Sequence, residues 1–582
     1  MNSDEELSKK NDINNYFKLP IFYNKDKVEI SKIIVNDLEL VTTVDQSSNP
    51  IYTFYFDNDN DMSKKIITQI AKYYTTDSNF LKENQYLLKE YKSLDNKYTK
   101  YSPNYKKILD IWNELKIENG FKEKYCYVEW EKLEFLNSSV LFLQFMSLYN
   151  LFSPIFSLLM PIVILIIPFL IIKLKGLDLT ISQYILILKI VAQQNAIGKL
   201  FTTNFFDIQF QERIYIVVSA ALYLYSIYQN IMVCVRFHAN MINIHTYFKE
   251  MGVYIDNTLA SMRNYIIYSK DLLTHNDFNN NLIIKMSLLE NISKKFNNIS
   301  NYNLYNIKKL AEIGNIMKCF YELHSDKEYE EAMMYSFGFN GYIDCLEGLQ
   351  NNIIERKVNL AVFIKENKKN IMNESYYACL KNNNPVKNTI KLKKNIIITG
   401  PNASGKTTVL KSTLINIILT QQFGCGFYSS AKLKPYKHIH CYLNIPDTSG
   451  RDSLFQAEAR RCKEIIDSIN TYDDDTHFCV FDELYSGTNP EEAELSAAAF
   501  MKYLTKRKKV SCLLTTHFIK VCKNLKKNPN IINKYMVTEK NNDRIKYIYT
   551  LKDGISNVKG GIDILTEMNY PKEIIHNTKN NK

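Results

Sequence analysis

The segment Gly400–Thr407 constrains the fold more than any other part of this sequence, because it has the pattern GxxxxGK[ST]. A short apolar run, Asn395–Ile398, leads into it, and apolar residues recur at helical spacing over Thr408–Gln422. A buried parallel strand, a glycine-containing loop and a helix in this order predict a P-loop, whose backbone N–H groups and helix dipole face phosphate groups. The last third of the chain is therefore predicted to be an α/β domain with a mainly parallel sheet that binds a nucleoside triphosphate.

The P-loop supplies the first candidate site residues. Lys406 is predicted to reach the β- and γ-phosphates of ATP, and the Thr407 hydroxyl to ligate Mg²⁺. The candidate nucleotide-binding residues are Gly400, Pro401, Asn402, Ala403, Ser404, Gly405, Lys406, Thr407 and Thr408.

Two further apolar runs end in polar residues that suit the same chemistry. Phe478–Phe481 is followed by Asp482, predicted to hold Mg²⁺ through water, and by Glu483, predicted to polarise the attacking water as a general base. Cys512–Leu514 is followed by Thr515-Thr516-His517, and His517 is predicted to sense the γ-phosphate. The candidate catalytic residues are Lys406, Glu483 and His517.

Four segments of this domain together resemble the MutS family, the ATPases of DNA mismatch repair. They are Ile398–Thr408, Gly450–Glu458, Asp482–Asn489 and Thr515–Phe518. The segment Asn384–Asn388 and the tail from Gly560 to Ile575 are similar to the family as well. The sequence departs from the usual family pattern at Ala403, Thr407 and Asp452–Leu454, which puts the rate in doubt more than the activity.

The resemblance implies an ABC/MutS-like fold, hydrolysis of ATP with Mg²⁺, and a working dimer. In the family a signature serine of one subunit reaches the nucleotide of the other, and Ser453 takes that position here. A second subunit is therefore an expected partner, a homodimer being favoured, and DNA is an expected partner by the same resemblance.

The mismatch-reading part of the family has no counterpart that we can identify. Family members that read mismatches insert a Phe-x-Glu motif from an N-terminal domain. Phe320-Tyr321-Glu322 has these letters but lies only about 80 residues before the P-loop, too close for such a domain, so we interpret it as coincidence. Phe121-Lys122-Glu123 lies earlier but has no other support.

Two long runs without charge predict membrane spans. No charged residue occurs in Phe135–Ile172, whose part Leu151–Ile172 is almost wholly apolar, and none occurs in Ile214–Val235. About 20 such residues span a bilayer as a helix. Prolines inside the first run indicate kinks or a re-entrant hairpin. The alternative is a pair of buried core helices in a soluble domain.

Two spans place both ends of the chain on one side of a membrane. Basic residues flank both sides in similar number, so the positive-inside rule does not decide the orientation. ATP decides it, because the nucleotide-binding domain must face the cytoplasm. The expected localisation is a membrane, with the ATPase domain in the cytoplasm.

The predicted organisation has five parts. They are a disordered tail (1–15), a mixed region (16–134), a membrane region (135–236), α-helical lever arms (237–384) and the ATPase domain (385–582). Within the mixed region, Tyr52–Phe56 alternates as a strand would and Tyr105–Leu115 has helical spacing. The lever region contains 16 Lys plus Arg and 16 Asp plus Glu, so it lacks the basic surface typical of a DNA grip.

Composition adds two limits. The formal net charge of +12 permits an anionic partner such as nucleic acid or lipid without requiring one. The eleven cysteines form no CxxC pair, which favours reduced thiols over a disulfide or zinc framework. His238 and His245 lie seven residues apart without further ligands and are interpreted as ordinary side chains.

Two functions therefore remain open. The first is a membrane-anchored, MutS-like DNA clamp or damage sensor of mismatch repair or recombination. The second is a membrane ATPase or scaffold whose arms transmit dimer closure to a membrane or a protein, without DNA. A transporter is a weaker third possibility, because two spans per chain rarely build a pathway.

Overall fold

Short helices and strands occupy the first part of the chain. The computed structural model describes residues 12–556 apart from 46, 58–59, 94–103, 117–119, 177–179, 195–197, 200–208, 300–306, 366–369, 446–452 and 542–543, together with residues 558, 568, 570–571, 573–574 and 577–578. The first elements are α1 (Ile13–Tyr16), α2 (Pro20–Tyr23), β1 (Lys27–Glu29), α3 (Lys32–Asp37), α4 (Ile51–Phe56), α5 (Asp61–Ile70), β2 (Tyr73–Thr75) and α6 (Ser78–Glu90).

Longer helices fill the middle of the chain. They are α7 (Tyr105–Lys116), α8 (Phe121–Lys124), α9 (Val140–Leu174), α10 (Ile181–Gln194), α11 (Phe210–Ser269), α12 (Asn276–Asn297), α13 (Ile307–Leu310), α14 (Ile313–Ser325) and α15 (Lys327–Ile354), with 3₁₀ turns at Glu131–Ser138 and Leu273–His275. The helix predicted at Tyr105–Leu115 is confirmed.

Strands and helices alternate in the last part. The elements are β3 (Asn359–Phe363), β4 (Ile371–Ser375), a 3₁₀ turn at Ala378–Leu380, β5 (Asn388–Lys391), β6 (Asn395–Thr399), α16 (Lys406–Phe423), β7 (Cys425–Gly426), β8 (Ser430–Leu433), β9 (His438–Tyr442), α17 (Leu454–Thr471), β10 (His477–Asp482), α18 (Pro490–Leu504), β11 (Val510–Thr516), α19 (Ile519–Leu525), β12 (Ile531–Asn541) and β13 (Arg544–Asp553).

The main sheet has six strands in the order β13-β12-β6-β11-β10-β9. All neighbours pair in parallel except β12 and β13, which are antiparallel. The three apolar runs that predicted strands form β6, β11 and β10, side by side at the centre. Buried apolar side chains of α17, α18 and α19 pack against this sheet, among them Ile465, Met501 and Leu525. The predicted α/β domain with a mainly parallel sheet is confirmed.

A second sheet, in the order β5-β4-β8-β3-β7, corrects the prediction that helices continue to residue 384. Helices end at Ile354, and β3 and β4 follow. These short strands complete their backbone hydrogen bonds with β7 and β8, about 60 to 70 residues later in the chain. Local periodicity cannot reveal a strand whose partners are so distant.

The strand predicted at Tyr52–Phe56 is wrong, because this segment is the helix α4. Its buried residues Ile51, Tyr52, Tyr55 and Phe56 recur at helical spacing and form one face. The helix ends at Asp57, whose backbone is left-handed with φ of 52°. Aromatic β-propensity was overridden here by burial of this face.

Two compact units divide the chain. One comprises Met1–Thr99, Ala260–Met286 and Met334–Lys582, and the other comprises Lys100–Leu259 and Ser287–Met333. The first unit contains both of these sheets, so segments at the two ends of the sequence build it together.

Within the first unit, the N-terminal segment encloses the end of α16. The side chain of Gln422 donates to the carbonyls of Ile70 at 2.8 Å and Tyr73 at 3.0 Å, and accepts from the Tyr52 hydroxyl at 2.9 Å. Gln421 donates to the carbonyls of Thr75 and Tyr436 in the same way. These polar contacts are buried, so the packing is specific as well as apolar.

Within the second unit, α9 and the first part of α11 expose many large apolar side chains. Both are long and apolar enough to cross a membrane by length and composition, and only 6% of the most apolar stretch of α11 is buried. The Tyr223 hydroxyl donates to the Ser157 carbonyl at 3.0 Å, and the Cys234 thiol donates to the Leu151 carbonyl at 3.1 Å. α9 runs through all three of its prolines without interruption, so the re-entrant hairpin considered from the sequence does not form.

Candidate nucleotide-binding site

The predicted P-loop connects β6 to α16. Two of its residues have left-handed backbones, Ala403 with φ of 62° and Gly405 with φ of 89°. A Cβ at Gly400 would lie 2.7 Å from the Ser404 hydroxyl, so a side chain there would force the Ser404 side chain to move. Glycine at positions 400 and 405 therefore permits the tight turn that the P-loop pattern predicts.

The loop borders a cavity of about 570 Å³. Of the predicted nucleotide-binding residues, Asn402, Ala403, Ser404, Gly405, Lys406, Thr407 and Thr408 line it, together with Asp482 and Glu483. The Ser404 hydroxyl is buried and has no hydrogen-bond partner among the residues that the structure describes. A buried hydroxyl without a partner costs about 1–3 kcal/mol, which a phosphate oxygen in the loop could offset.

Lys406 is buried at the first position of α16. Its ammonium donates to the carbonyls of Gly400 at 3.0 Å and Pro401 at 3.2 Å, and lies 3.7 Å from the Glu483 carboxylate. Burial lowers the pKa of Lys406, and Glu483 and Asp482 oppose that shift. The cation is thus held inside the loop, beside both candidate acids.

Asp482 ends β10 and faces the start of α16. Thr407 donates to one carboxylate oxygen at 2.8 Å, and Thr515, its neighbour on β11, donates to the other. The structure therefore brings together the two side chains predicted to hold Mg²⁺. The described residues include no cluster of three or more His, Cys, Asp or Glu suited to a metal. Mg²⁺ does not need one, because phosphates and waters complete its shell.

Glu483 lies between two basic side chains. Its carboxylate is 3.5 Å from His517 Nδ1 and 3.7 Å from Lys406 Nζ. The hydrogen bond from His517 is the largest cause that lowers the pKa of Glu483, and Lys406 adds to it. The backbone of Glu483 is left-handed, with φ of 52°, and its N–H donates to the Thr515 carbonyl at 3.0 Å. This acid remains ionised, as a general base requires.

Ser453 does not line this cavity. It caps α17: its hydroxyl accepts from the Gln456 N–H at 3.3 Å, and the Gln456 side chain accepts from its N–H at 2.9 Å. Glu458, in the same predicted signature, is buried and accepts from the N–H groups of Ser486 at 3.1 Å and Gly487 at 3.2 Å. The signature helix is thus tied to the loop after Glu483. Residues 450–452 of the signature lie outside the described residues, as does most of the segment 560–575.

Several lining residues were not predicted from the sequence. They are Ser375, Tyr376, Tyr377, Leu380, Val386, Asn388, Ile390, Val409, Ser412, Thr413, Met536 and Tyr549. The Asn388 side chain donates to the Tyr549 carbonyl at 2.9 Å and accepts from the Leu551 N–H at 2.7 Å, which joins β5 to β13. The pair Tyr376-Tyr377, shortly before the P-loop, was a possible signal, but aromatic residues are too common in this chain to single it out.

Comparison with known proteins agrees with this geometry. The family profile described as MutS domain V matches residues 396–582. This part of the chain, residues 396–582, belongs to the MutS family. It is similar to the DNA mismatch repair protein MutS of Prochlorococcus marinus (strain MIT 9312), 28% identical over 187 residues, which are 32% of this chain and 20% of that protein.

Other MutS relatives match longer segments at lower identity. The DNA mismatch repair protein MutS of Staphylococcus haemolyticus is 24% identical over 260 residues, 43% of this chain and 29% of that protein. Endonuclease MutS2 of Lactococcus lactis is 26% identical over 286 residues, 48% of this chain and 35% of that protein. The chain thus spans about a fifth to a third of the length of these MutS relatives.

The two Phe-x-Glu segments considered from the sequence, Phe121–Glu123 and Phe320–Glu322, both lie in the second unit. Phe320 is fully buried and Phe121 is 5% exposed, and their rings lie 5.5 Å apart. Neither aromatic side chain can enter a base stack without leaving this core. The interpretation of Phe320-Tyr321-Glu322 as coincidence is consistent with this burial.

Proposed function

We propose that this MutS-family chain hydrolyses ATP with Mg²⁺ in the cavity around Lys406. The observation that carries the proposal is the convergence of Lys406, Asp482 and Glu483, from two separate segments, beside a loop with left-handed backbone at Ala403 and Gly405. A cradle of this shape with one buried cation and two acids suits a nucleoside triphosphate.

Each side chain has a distinct role in this proposal. Lys406 and the loop N–H groups hold the phosphates, and Thr407 and Asp482 hold Mg²⁺, which when bound offsets phosphate charge. Glu483 accepts a proton from the attacking water. His517 senses the γ-phosphate, and its 3.5 Å contact with the Glu483 carboxylate links that acid to the end of β11.

The test is phosphate release by the full-length protein with ATP, with Mg²⁺ present or chelated. Release that requires Mg²⁺ and is lost in Glu483→Gln supports the proposal. A protein that binds ATP but releases no phosphate under any of these conditions contradicts it.

The same proposal includes a dimer that acts on DNA as a clamp or damage sensor in mismatch repair or recombination. Two of the relatives named above are called DNA mismatch repair proteins, which supports DNA as the partner. Ser453 is exposed and outside the cavity of its own chain, as a residue that completes a partner's site would be. ATP binding would close the dimer and hydrolysis would reopen it.

DNA binding by detergent-purified protein on matched, mismatched and branched duplexes, with ADP and with ATP across a salt series, tests the DNA function. Nucleotide-dependent binding that weakens with salt is the expected result. The oligomeric state with and without ATP tests the dimer, and a monomer that retains full ATPase activity contradicts it.

Membrane anchoring completes the proposal, with spans near 151–172 and 214–235 and the ATPase domain in the cytoplasm. Support comes from the low burial of the apolar stretch in α11 and from exposed side chains such as Phe156, Leu170 and Leu222. Flotation with liposomes tests it. A full-length protein that stays soluble and monodisperse without detergent contradicts it.

The second candidate, a membrane ATPase or scaffold without DNA, is favoured by one observation. The region 237–384 has no net charge, and Phe121 and Phe320 are both buried, so these residues supply neither a basic grip nor an exposed aromatic side chain that could enter a base stack. No DNA binding at low salt by a protein with intact ATPase activity would select this candidate.

A further inference from the structure

A second cavity, of about 450 Å³, lies in the first unit where β6 and β11 of the main sheet begin. Basic residues from three separate segments line it, and no acidic residue is among its described lining residues. These basic residues are Lys393, Lys394, Lys434, Arg507, Lys508 and Lys509. Lysine is common throughout this chain, so single lysines mean little, but the convergence of the runs 391–394 and 506–509 is a property of the fold.

Only part of this positive charge is neutralised. Arg507 pairs with Asp473 at 2.8 Å, and Lys509 pairs with Asp474 at 3.1 Å, and both aspartates are well exposed. The three exposed lysines that remain make no ion pair with any residue that the structure describes. They are Lys393, Lys394 and Lys508. The six basic lining residues outnumber these two aspartates by four, so the cavity keeps a surplus of positive charge.

The charge of the domain agrees with the charge of the cavity. Residues 385–582 contain 31 Lys plus Arg and 19 Asp plus Glu, a net charge of +12. That equals the net charge of the whole chain, and the region 237–384 contributes none. The net positive charge of the chain therefore equals that of its ATPase domain, and such a surplus favours a polyanionic partner for this domain.

The cavity is separate from the nucleotide site. The nucleotide site lies at the carboxyl ends of β6, β10 and β11, where the P-loop, Asp482 and His517 are found. The basic cavity lies at the amino ends of β6 and β11. Strands of five to seven residues at about 3.3 Å per residue place the two sites roughly 20 Å apart. A ligand at one site does not occupy the other.

We propose that this cavity, defined by Lys393, Lys394, Lys434 and Arg507–Lys509, binds the phosphodiester backbone of DNA. Its cations line a recess, which favours a polyanion that can enter it over a planar lipid surface. Lysine and arginine side chains contact phosphates without reading bases, so we expect binding that is independent of sequence. The inference rests on the proposed DNA function and locates one of its contacts on the ATPase domain.

The test is duplex binding by full-length protein over a salt series. The triple variant Lys393→Gln/Lys394→Gln/Lys508→Gln removes the three lysines without ion pairs. The matched control Lys432→Gln/Lys546→Gln/Lys552→Gln removes equal charge from positions of the same domain that line neither cavity. Tripolyphosphate and vesicles with anionic lipid serve as alternative ligands for all three proteins.

The slope of log K against log salt is the decisive quantity, because its magnitude changes by about 0.9 for each phosphate of duplex DNA that the protein neutralises. We expect the cavity variant to lower this magnitude by about 2 to 3 and the control to leave it within about 0.5, with ATP hydrolysis without DNA unchanged in both. Equal slopes in wild type and cavity variant would overturn the inference and leave DNA binding intact. Absence of duplex binding by wild type, or binding of vesicles or tripolyphosphate alone, would overturn the inference together with the DNA function, while the ATPase proposal would stand.

Discussion

Replacement of Glu483 by Gln should separate ATP binding from hydrolysis. The change keeps the shape of the side chain but removes the negative charge between Lys406 and His517. As a general base Glu483 should contribute roughly 10²–10⁴-fold to the rate, so phosphate release should fall by that factor. ATP binding should persist, because the P-loop and Lys406 are untouched.

The Glu483→Gln variant should in fact bind ATP more tightly than the wild type, and the distance between Glu483 and Lys406 sets the size of the effect. Glu483 lies 3.7 Å from Lys406, and two unit charges about 4 Å apart interact by ~1 kcal/mol in water and ~4 kcal/mol near a protein surface. Because the Glu483 side chain is 34% exposed, we take about 1–2 kcal/mol. Without this carboxylate, Lys406 no longer divides its charge between an acid and the phosphates. ATP affinity should rise roughly 5- to 30-fold.

Single-turnover phosphate release and titration with a fluorescent ATP analogue measure the two effects. Glu491→Gln is the matched control, since Glu491 is exposed on α18 and does not line the cavity. Lys406→Ala, which should abolish ATP binding, gives the opposite limit. The reasoning fails if Glu483→Gln hydrolyses ATP at the wild-type rate, or if it binds ATP as weakly as Lys406→Ala.

Three further predictions concern the stability and folding of the chain. Ser453→Ala should lower the free energy of unfolding by about 1 kcal/mol through loss of the cap on α17, and Ser453→Asn should restore it, as thermal unfolding would show. If Ser453 also acts in trans, both variants should lose ATPase activity, and mixed dimers should be rescued only at the partner's site. Wild-type ATPase activity in both variants would contradict the role in trans. Burial, with His477 and His438 nearby, lowers the pKa of His440 to about 3, so the unfolded chain binds more protons than the folded chain between pH 6.5 and 3. The free energy of unfolding should therefore fall on acidification, by about 1 kcal/mol from pH 6.5 to 5.5. His440→Gln should reduce that loss, and an equal pH dependence in the variant and the wild type would contradict this prediction. A fragment of residues 385–582 alone should fail to fold, as circular dichroism and hydrogen exchange would show, because it lacks the segment that encloses α16; a cooperative melt like that of the full chain would contradict this.

The arrangement of the candidate site residues could be predicted because each motif is local in sequence. The P-loop pattern and the acids after β10 each occupy a few consecutive residues, and their position at strand ends follows from the apolar runs before them. Lys406, Thr407, Asp482, Glu483 and His517 accordingly lie together.

The rest of the cavity could not be predicted, because its residues are set by long-range pairing. Tyr549 reaches the site only because β13 pairs with β12, and Asn388 then binds its backbone. The strands β3 and β4 depend on pairing with β7 and β8, about 60 to 70 residues later, and the helix at Tyr52–Phe56 packs against residues more than 360 positions away. Burial decided these elements where local propensity pointed elsewhere.

The enclosure of α16 by the first residues of the chain has a consequence for biosynthesis. The hydrogen bond between Tyr52 and Gln422 joins residues 370 positions apart. At about 5–20 residues per second, a ribosome needs roughly 20–70 s to deliver α16 after residues 12–91 have emerged. During that interval the aromatic residues of α4 lack their partners Phe423 and Phe427. The aromatic face of α4 therefore stays unpartnered until α16 has been synthesised, and the first unit cannot complete its fold before that point.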